Sequence, residues 1–133
     1  MASITIKRVY DVHNYLLDPH TAVAWSVADR LHDDKPVLVV STAHWAKFGS
    51  DVYRALHGIG AGEDLPDAVS DMTGPALDKL IASETGVDNI PANLACLDEM
   101  PTNFDQDCPA HLAGIEKTVE IWLQNRDNDD TIV

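Results

Sequence analysis

Two short stretches hold the residue types that could do chemistry: Asp18-Pro19-His20-Thr21, and Ser41-Thr42-Ala43-His44 followed by Lys47. A hydroxyl can give or take one hydrogen bond to a ligand without bringing a charge, so Ser41 and Thr42 suit the recognition of a neutral acceptor or donor atom. They follow Val37 to Val40, an uninterrupted apolar run opened by Pro36, which reads as a strand covered on both faces. In a parallel sheet ligands bind beyond the carboxyl ends of strands, and Ser41 and Thr42 stand there. Either residue also suits the cap of a helix starting near Trp45, and position alone favours the cap.

The histidines invite a metal reading. His13, His20, His44 and His111, with Asp18, match no zinc spacing, and no His-x-x-x-His pair lies on one helix. We therefore expect no metal site. His20 and His44 are expected to make structural hydrogen bonds near a pocket wall, and Asp18 to cap a helix.

The segment Ser41 to Phe48, STAHWAKF, resembles the STAHPAKF segment of threonine synthases, and Leu16 to Trp25, LLDPHTAVAW, resembles the LDPHTAVGY segment that precedes it in that family. The two occur in the family order, about two dozen residues apart. Weaker likeness continues through Asp64-Leu65-Pro66, Asn89 to Leu94 and the helix Leu112 to Leu123, so it covers most of the chain. It covers only the C-terminal portion of such an enzyme.

That resemblance implies a pyridoxal phosphate enzyme converting O-phosphohomoserine and water into threonine and phosphate, on the type II pyridoxal-phosphate fold. It places Thr42 at the pyridine nitrogen of the cofactor, with Ser41 beside it, so the motif shifts the balance for Thr42 from cap to cofactor contact. Trp45 replaces the proline of the motif, which removes a preset helix start and sets an indole beside the site. Lys47 is not the lysine that bonds the cofactor. In the family that lysine and the loop cradling the cofactor phosphate lie in upstream segments without a counterpart here. Lys47 is expected to be solvated or ion-paired.

At 133 residues and 45% apolar, the chain is long enough for one globular domain that buries roughly two thirds of its surface. A formal net charge of −13 disfavours nucleic acid and anionic membranes, since both would be repelled over most of the surface. No apolar run reaches the length of a membrane span. Cys96 and Cys108, without a signal peptide, read as reduced thiols, and the expected compartment is the cytoplasm.

The elements that must position these residues are mostly helical. Apolar spacing predicts a helix over 1–15 with Ser3 as a cap, and one over 19–31 whose Ala24, Trp25, Val27, Ala28 and Leu31 share a face. His32 to Lys35 is a polar break. A third helix carries Phe48, Val52, Leu56 and Ile59 and is ended by Gly58 and Gly60. Shorter helices follow at 66–72 and 75–83, a turn at 91–97, and a last helix from Pro109 to Arg126 with Leu112, Ile115, Val119 and Trp122 in one stripe.

The expected fold is thus α/β, mostly helical, with one strand, as a single domain over 1–126 and an acidic tail over 127–133. The expected function is that of a C-terminal part of a threonine synthase, contributing one wall of the cofactor site and not catalytic on its own, so that no cofactor is expected on the isolated chain. Its partner would be the upstream part of the enzyme or a second copy in a homo-oligomer. The alternative is a free-standing helical module that binds a partner or itself through the strand edge and its apolar helix faces.

Overall fold

The computed structural model describes residues 1–31, 35–101 and 107–128. They fall into two compact units, Met1–Met100 and Pro101–Val133.

In the first unit, α1 (Ala2–His13) turns Thr5, Ile6 and Val9 into the core. Ser3 is not its cap; Met1 holds that position without a side-chain hydrogen bond. The helix ends at Asn14, whose left-handed backbone (φ 51°) lets its N–H donate to the Tyr10 carbonyl at 2.8 Å. The Tyr10 hydroxyl donates to the carbonyl of Thr85 at 3.2 Å, which ties α1 to a distant part of the chain.

Helix α2 (Pro19–Leu31) has the expected bounds but buries an unexpected face. Thr21, Ala22 and Ser26 point into the core, while Ala24, Val27 and Leu31 of the expected stripe are exposed. Periodicity identified an apolar face, and this unit's own core does not use it. Residues 32–34 of the polar break lie outside the described residues.

The α/β reading with one strand is overturned. Among the described residues there is no strand, so no sheet of a type II pyridoxal-phosphate fold is present in them. Val37 to Val40 is irregular and largely exposed, with Leu38 at 88%. Strand backbone is held by ladder hydrogen bonds from a neighbour, and this helical unit supplies none. Val37 and Val39 instead flank a shallow cleft of about 200 Å³ with Trp25, Ala28 and Asp29.

Beyond the Ser41–His44 segment, a 3₁₀ turn (Trp45–Phe48) runs into α3 (Gly49–His57), and Gly58 ends that helix in the left-handed conformation (φ 70°). A single turn, α4 (Asp67–Ser70), precedes α5 (Gly74–Thr85), which is longer than the spacing predicts because the Thr73 hydroxyl caps it by accepting the Ala76 N–H. Then come α6 (Ala92–Ala95) and a 3₁₀ turn at Leu97–Glu99. The core gathers Ile6 and Val9 of α1, Leu16 and Leu17, Trp45, Val52 of α3, and Leu77 and Ile81 of α5.

In the second unit, α7 (Leu112–Asn128) starts at His111, whose Nδ1 accepts the Gly114 N–H at 3.0 Å. Its stripe of Leu112, Ile115, Val119 and Trp122 is exposed. Of the acidic tail, residues 129–133 lie outside the described residues. Cys96 and Cys108 are free thiols. Among the described residues no helix is long and apolar enough to cross a membrane.

Candidate functional site

The two motif segments meet through their hydroxyls. Leu16 and Leu17 are buried and anchor the approach to α2, which leaves Asp18, 1% exposed, at the helix start with Pro19 in the first turn. Asp18 Oδ1 accepts the N–H groups of His20 at 2.9 Å and Thr21 at 3.2 Å, two of the donors that a helix N-terminus leaves without an internal partner. Asp18 Oδ2 accepts the Thr21 hydroxyl. On its other side Thr21 Oγ1 lies 3.2 Å from the hydroxyl of Ser41, which donates to the Ala43 carbonyl at 2.9 Å.

Burial pushes the Asp18 carboxyl up, but the Thr21 hydroxyl, the two N–H groups and the adjacent His20 together outweigh it and hold the group below its ordinary value. The carboxylate is therefore ionised in the neutral range. His20, on the exposed side, places Nδ1 3.4 Å from Asp18 Oδ1 and its ring edge-on to Phe48 at 5.0 Å between centroids.

Ser41 and Thr42 are both exposed, and they differ in what holds them. Ser41 is engaged by Thr21 and Ala43. Thr42 makes no hydrogen bond with any described residue, so its hydroxyl is free to meet a ligand. Neither residue caps the helical turn that follows. His44 does, with Nδ1 accepting the Ala46 N–H at 3.2 Å. Burial lowers the His44 pKa, against an upward pull from Asn89 and the charge of Asp18, so Nδ1 stays an acceptor in the neutral range.

The Trp45 ring lies 5.5 Å from that of His44. It is 2% exposed, lies in the core, and donates its indole N–H to Asn89 Oδ1 at 2.9 Å. The indole pins the 3₁₀ turn to the segment before α6, a fixing role that a proline could not fill by this bond. Lys47 is exposed. His13 stacks at 5.8 Å on Trp25, His111 caps α7, and no group of three His, Cys, Asp or Glu side chains among the described residues could hold a metal ion. A groove of about 620 Å³ between α1 and the end of α3 is lined by Ile4, Val12, Ala55 and Ile59. None of the motif residues lines it, so it does not bear on their chemistry.

Comparison with known proteins agrees with the motifs. The family described as "Threonine synthase, C-terminal" matches residues 21–119. The chain belongs to this family. Among its relatives, "Threonine synthase-like 1" of Mus musculus is 50% identical over 52 residues, 38% of this chain and 7% of that protein. The protein of the same name from Homo sapiens is also 50% identical over 52 residues, with the same coverage. "Threonine synthase" of Saccharomyces cerevisiae is 43% identical over 65 residues, 42% of this chain and 13% of that protein. The alignments thus span about a tenth of the length of these relatives. No solved structure matches the chain.

Sequence reasoning named Asp18 as the cap it proves to be and singled out Ser41 and Thr42, but it missed Thr21, whose hydroxyl joins the two motifs. The available signal was the Asp-x-x-Thr spacing, which on a helix start brings the cap and the residue three later onto one side.

Proposed function

We propose that the chain is the C-terminal part of a threonine synthase-like enzyme, supplying one wall of a pyridoxal phosphate site and not catalytic on its own. The observation that carries this reading is the 3.2 Å approach of Thr21 to Ser41, which brings two family motifs together and leaves the Thr42 hydroxyl free beside them. The donor set fits the group: a neutral hydroxyl without an internal partner suits an unprotonated pyridine nitrogen, whereas an acidic residue there would hold a proton on the ring. Thr42 would hold the ring nitrogen, and Ser41 would fix the backbone that carries it. When bound, the cofactor withdraws electrons from the substrate attached to it. The role of Thr42 is to limit that withdrawal by keeping the nitrogen neutral.

The exposed apolar face of α2 and the exposed run Val37 to Val40 support the partial character of the chain, since soluble proteins rarely leave contiguous apolar surface uncovered. Its cover would be the remainder of the enzyme or a second copy. The same surface favours a second reading, a non-enzymatic helical module that associates through it.

The test is turnover of O-phosphohomoserine by the full-length protein with Thr42→Val and Thr42→Asp. The valine removes one hydrogen bond worth about 1–3 kcal/mol, a loss of roughly ten- to a hundredfold in rate. The aspartate shifts the cofactor absorbance by protonating the ring. Parental turnover with an unshifted band in both variants removes Thr42 from the site and favours the module.

A further inference from the structure

We propose that Asp18 and Thr21 are positioning residues for the Ser41–Thr42 segment, acting through a hydrogen-bonded relay that runs from the start of α2 to the Ser41 hydroxyl. The inference rests on the proposed function only in the use made of Thr42; the relay is a property of the chain by itself.

A cap needs one acceptor, and Asp18 Oδ1 already meets two N–H donors. The second oxygen is therefore available for something other than capping. Oδ2 takes the proton of the Thr21 hydroxyl, and a hydroxyl has only one. The same proton has a second acceptor, Ser41 Oγ at 3.2 Å on the other side of Thr21. The Ser41 proton goes to the Ala43 carbonyl at 2.9 Å, which leaves Ser41 Oγ open to accept from Thr21. Ser41 is held from both sides, and the peptide that carries Thr42 is held with it. Asp18 precedes the family-matched region, whereas Thr21 and Ser41 lie inside it.

The relay makes the charge on Asp18 audible at Thr42. When Asp18 is protonated it no longer requires the Thr21 proton, the Thr21 hydroxyl turns to donate to Ser41 Oγ, and the hold on Ser41 changes. The ionisable groups around Asp18 are His20, at 3.4 Å, and His44, which feels its charge.

The test is an NMR titration of the 133-residue chain without cofactor, following the Asp18 carboxyl carbon and the backbone amides of Ser41 and Thr42. In the parent the Thr42 amide moves in step with Asp18. In Thr21→Val the Asp18 titration moves to higher pH and the Thr42 amide no longer follows it, while Thr21→Ser restores both. A merely structural threonine would leave the parental coupling in place in the valine variant. Should Thr21→Val fail to fold, Ser41→Ala keeps the cap and removes the far end of the relay, with the same loss expected at Thr42. A parental Thr42 amide that ignores Asp18, or one that still follows it in Thr21→Val or Ser41→Ala, overturns the proposal. Because no cofactor is present, that outcome leaves the reading of Thr42 standing. Failure of the Thr42 variants in the full-length protein leaves the relay standing.

Discussion

Asp78 presses its Oδ1 atom against Gly49: a side-chain carbon added to that glycine would stand 2.4 Å from the carboxylate oxygen. Gly49 begins α3 directly after the turn that follows the Ser41–His44 segment, and Asp78 lies on α5, 2% exposed, with Oδ1 lacking any hydrogen-bond partner. The glycine is required by proximity, since its backbone (φ −50°, ψ −44°) suits any residue. Gly49→Ala is therefore expected to cost about 1–3 kcal/mol through overpacking, although alanine is the better helix former. Urea denaturation of Gly49→Ala alone and combined with Asp78→Ser checks this. The serine should recover most of the loss, a coupling expected only if the two residues are in contact.

The same burial makes Asp78 a source of pH dependence. Desolvation raises its pKa to about 6. In the folded chain the carboxyl then holds a proton that the unfolded chain, with a pKa near 3.8, has released. Its contribution to stability is greatest below about pH 4, falls as pH rises toward 6, and is level above that, the loss being about 3 kcal/mol. Asp78→Asn should remove this slope and be more stable than the parent at pH 7.5. Thermal melts at pH 4, 5, 6 and 7.5 distinguish the cases; equal slopes in parent and variant would mean that the carboxyl reaches water.

Asp18 has the opposite sign. Its lowered pKa means that its contribution is complete above about pH 4 and is lost as pH falls through the folded value. Asp18→Ala removes the cap and strands the Thr21 hydroxyl, at a cost on the order of 2 kcal/mol at pH 7. Measured at pH 3 and below, the difference between parent and variant should shrink.

What could be seen in the sequence divides along a physical line. Local chemistry was visible: Asp18-Pro19 as a helix start, Gly58 as a helix end, and the helical spacing of Val52 and Ile81 are set by residues a few positions apart. Choices made by distant parts of the chain were not. Val37 to Val40 has the composition of a buried strand, yet neither a ladder nor a cover is available to it in this unit. The apolar face of α2 is real as a pattern, but the core contacts its small residues instead. His44 takes the cap expected of Ser41 or Thr42 because its ring reaches back to the Ala46 N–H, and Ser41 is drawn away by Thr21, a partner 20 positions earlier. Trp45 is bonded through its indole to an asparagine 44 positions later, which no local rule could anticipate.

Trp45 gives a prediction about that long-range contact. Trp45→Ala empties a fully buried indole site and should cost about 3–5 kcal/mol. Trp45→Phe keeps most of the volume and loses the bond to Asn89, which is exposed and can turn to water, so about 1 kcal/mol is expected. Guanidinium denaturation of both variants, with Asn89→Ala as the control, should show Trp45→Phe and Asn89→Ala to be non-additive.

The last prediction concerns the uncovered surface. Leu38 is 88% exposed, and with Val37 and Val40 beside it and Val27 and Leu31 also exposed, the first unit presents more apolar side chains than single scattered ones would explain. If this surface is what a second copy or the remainder of the enzyme covers, a charge on it should weaken association without touching the fold. Leu38→Asp makes no change in the core, so stability should shift by less than about 0.5 kcal/mol. Sedimentation of the parent at rising concentration should show self-association that Leu38→Asp reduces. A control charge at Asn14, outside that surface, would be unsuitable because its left-handed backbone ends α1, whereas Ser83→Asp on the exposed side of α5 leaves both helix ends intact. Equal association of the parent, Leu38→Asp and Ser83→Asp chains would show that Val37 to Val40 is not the covered surface.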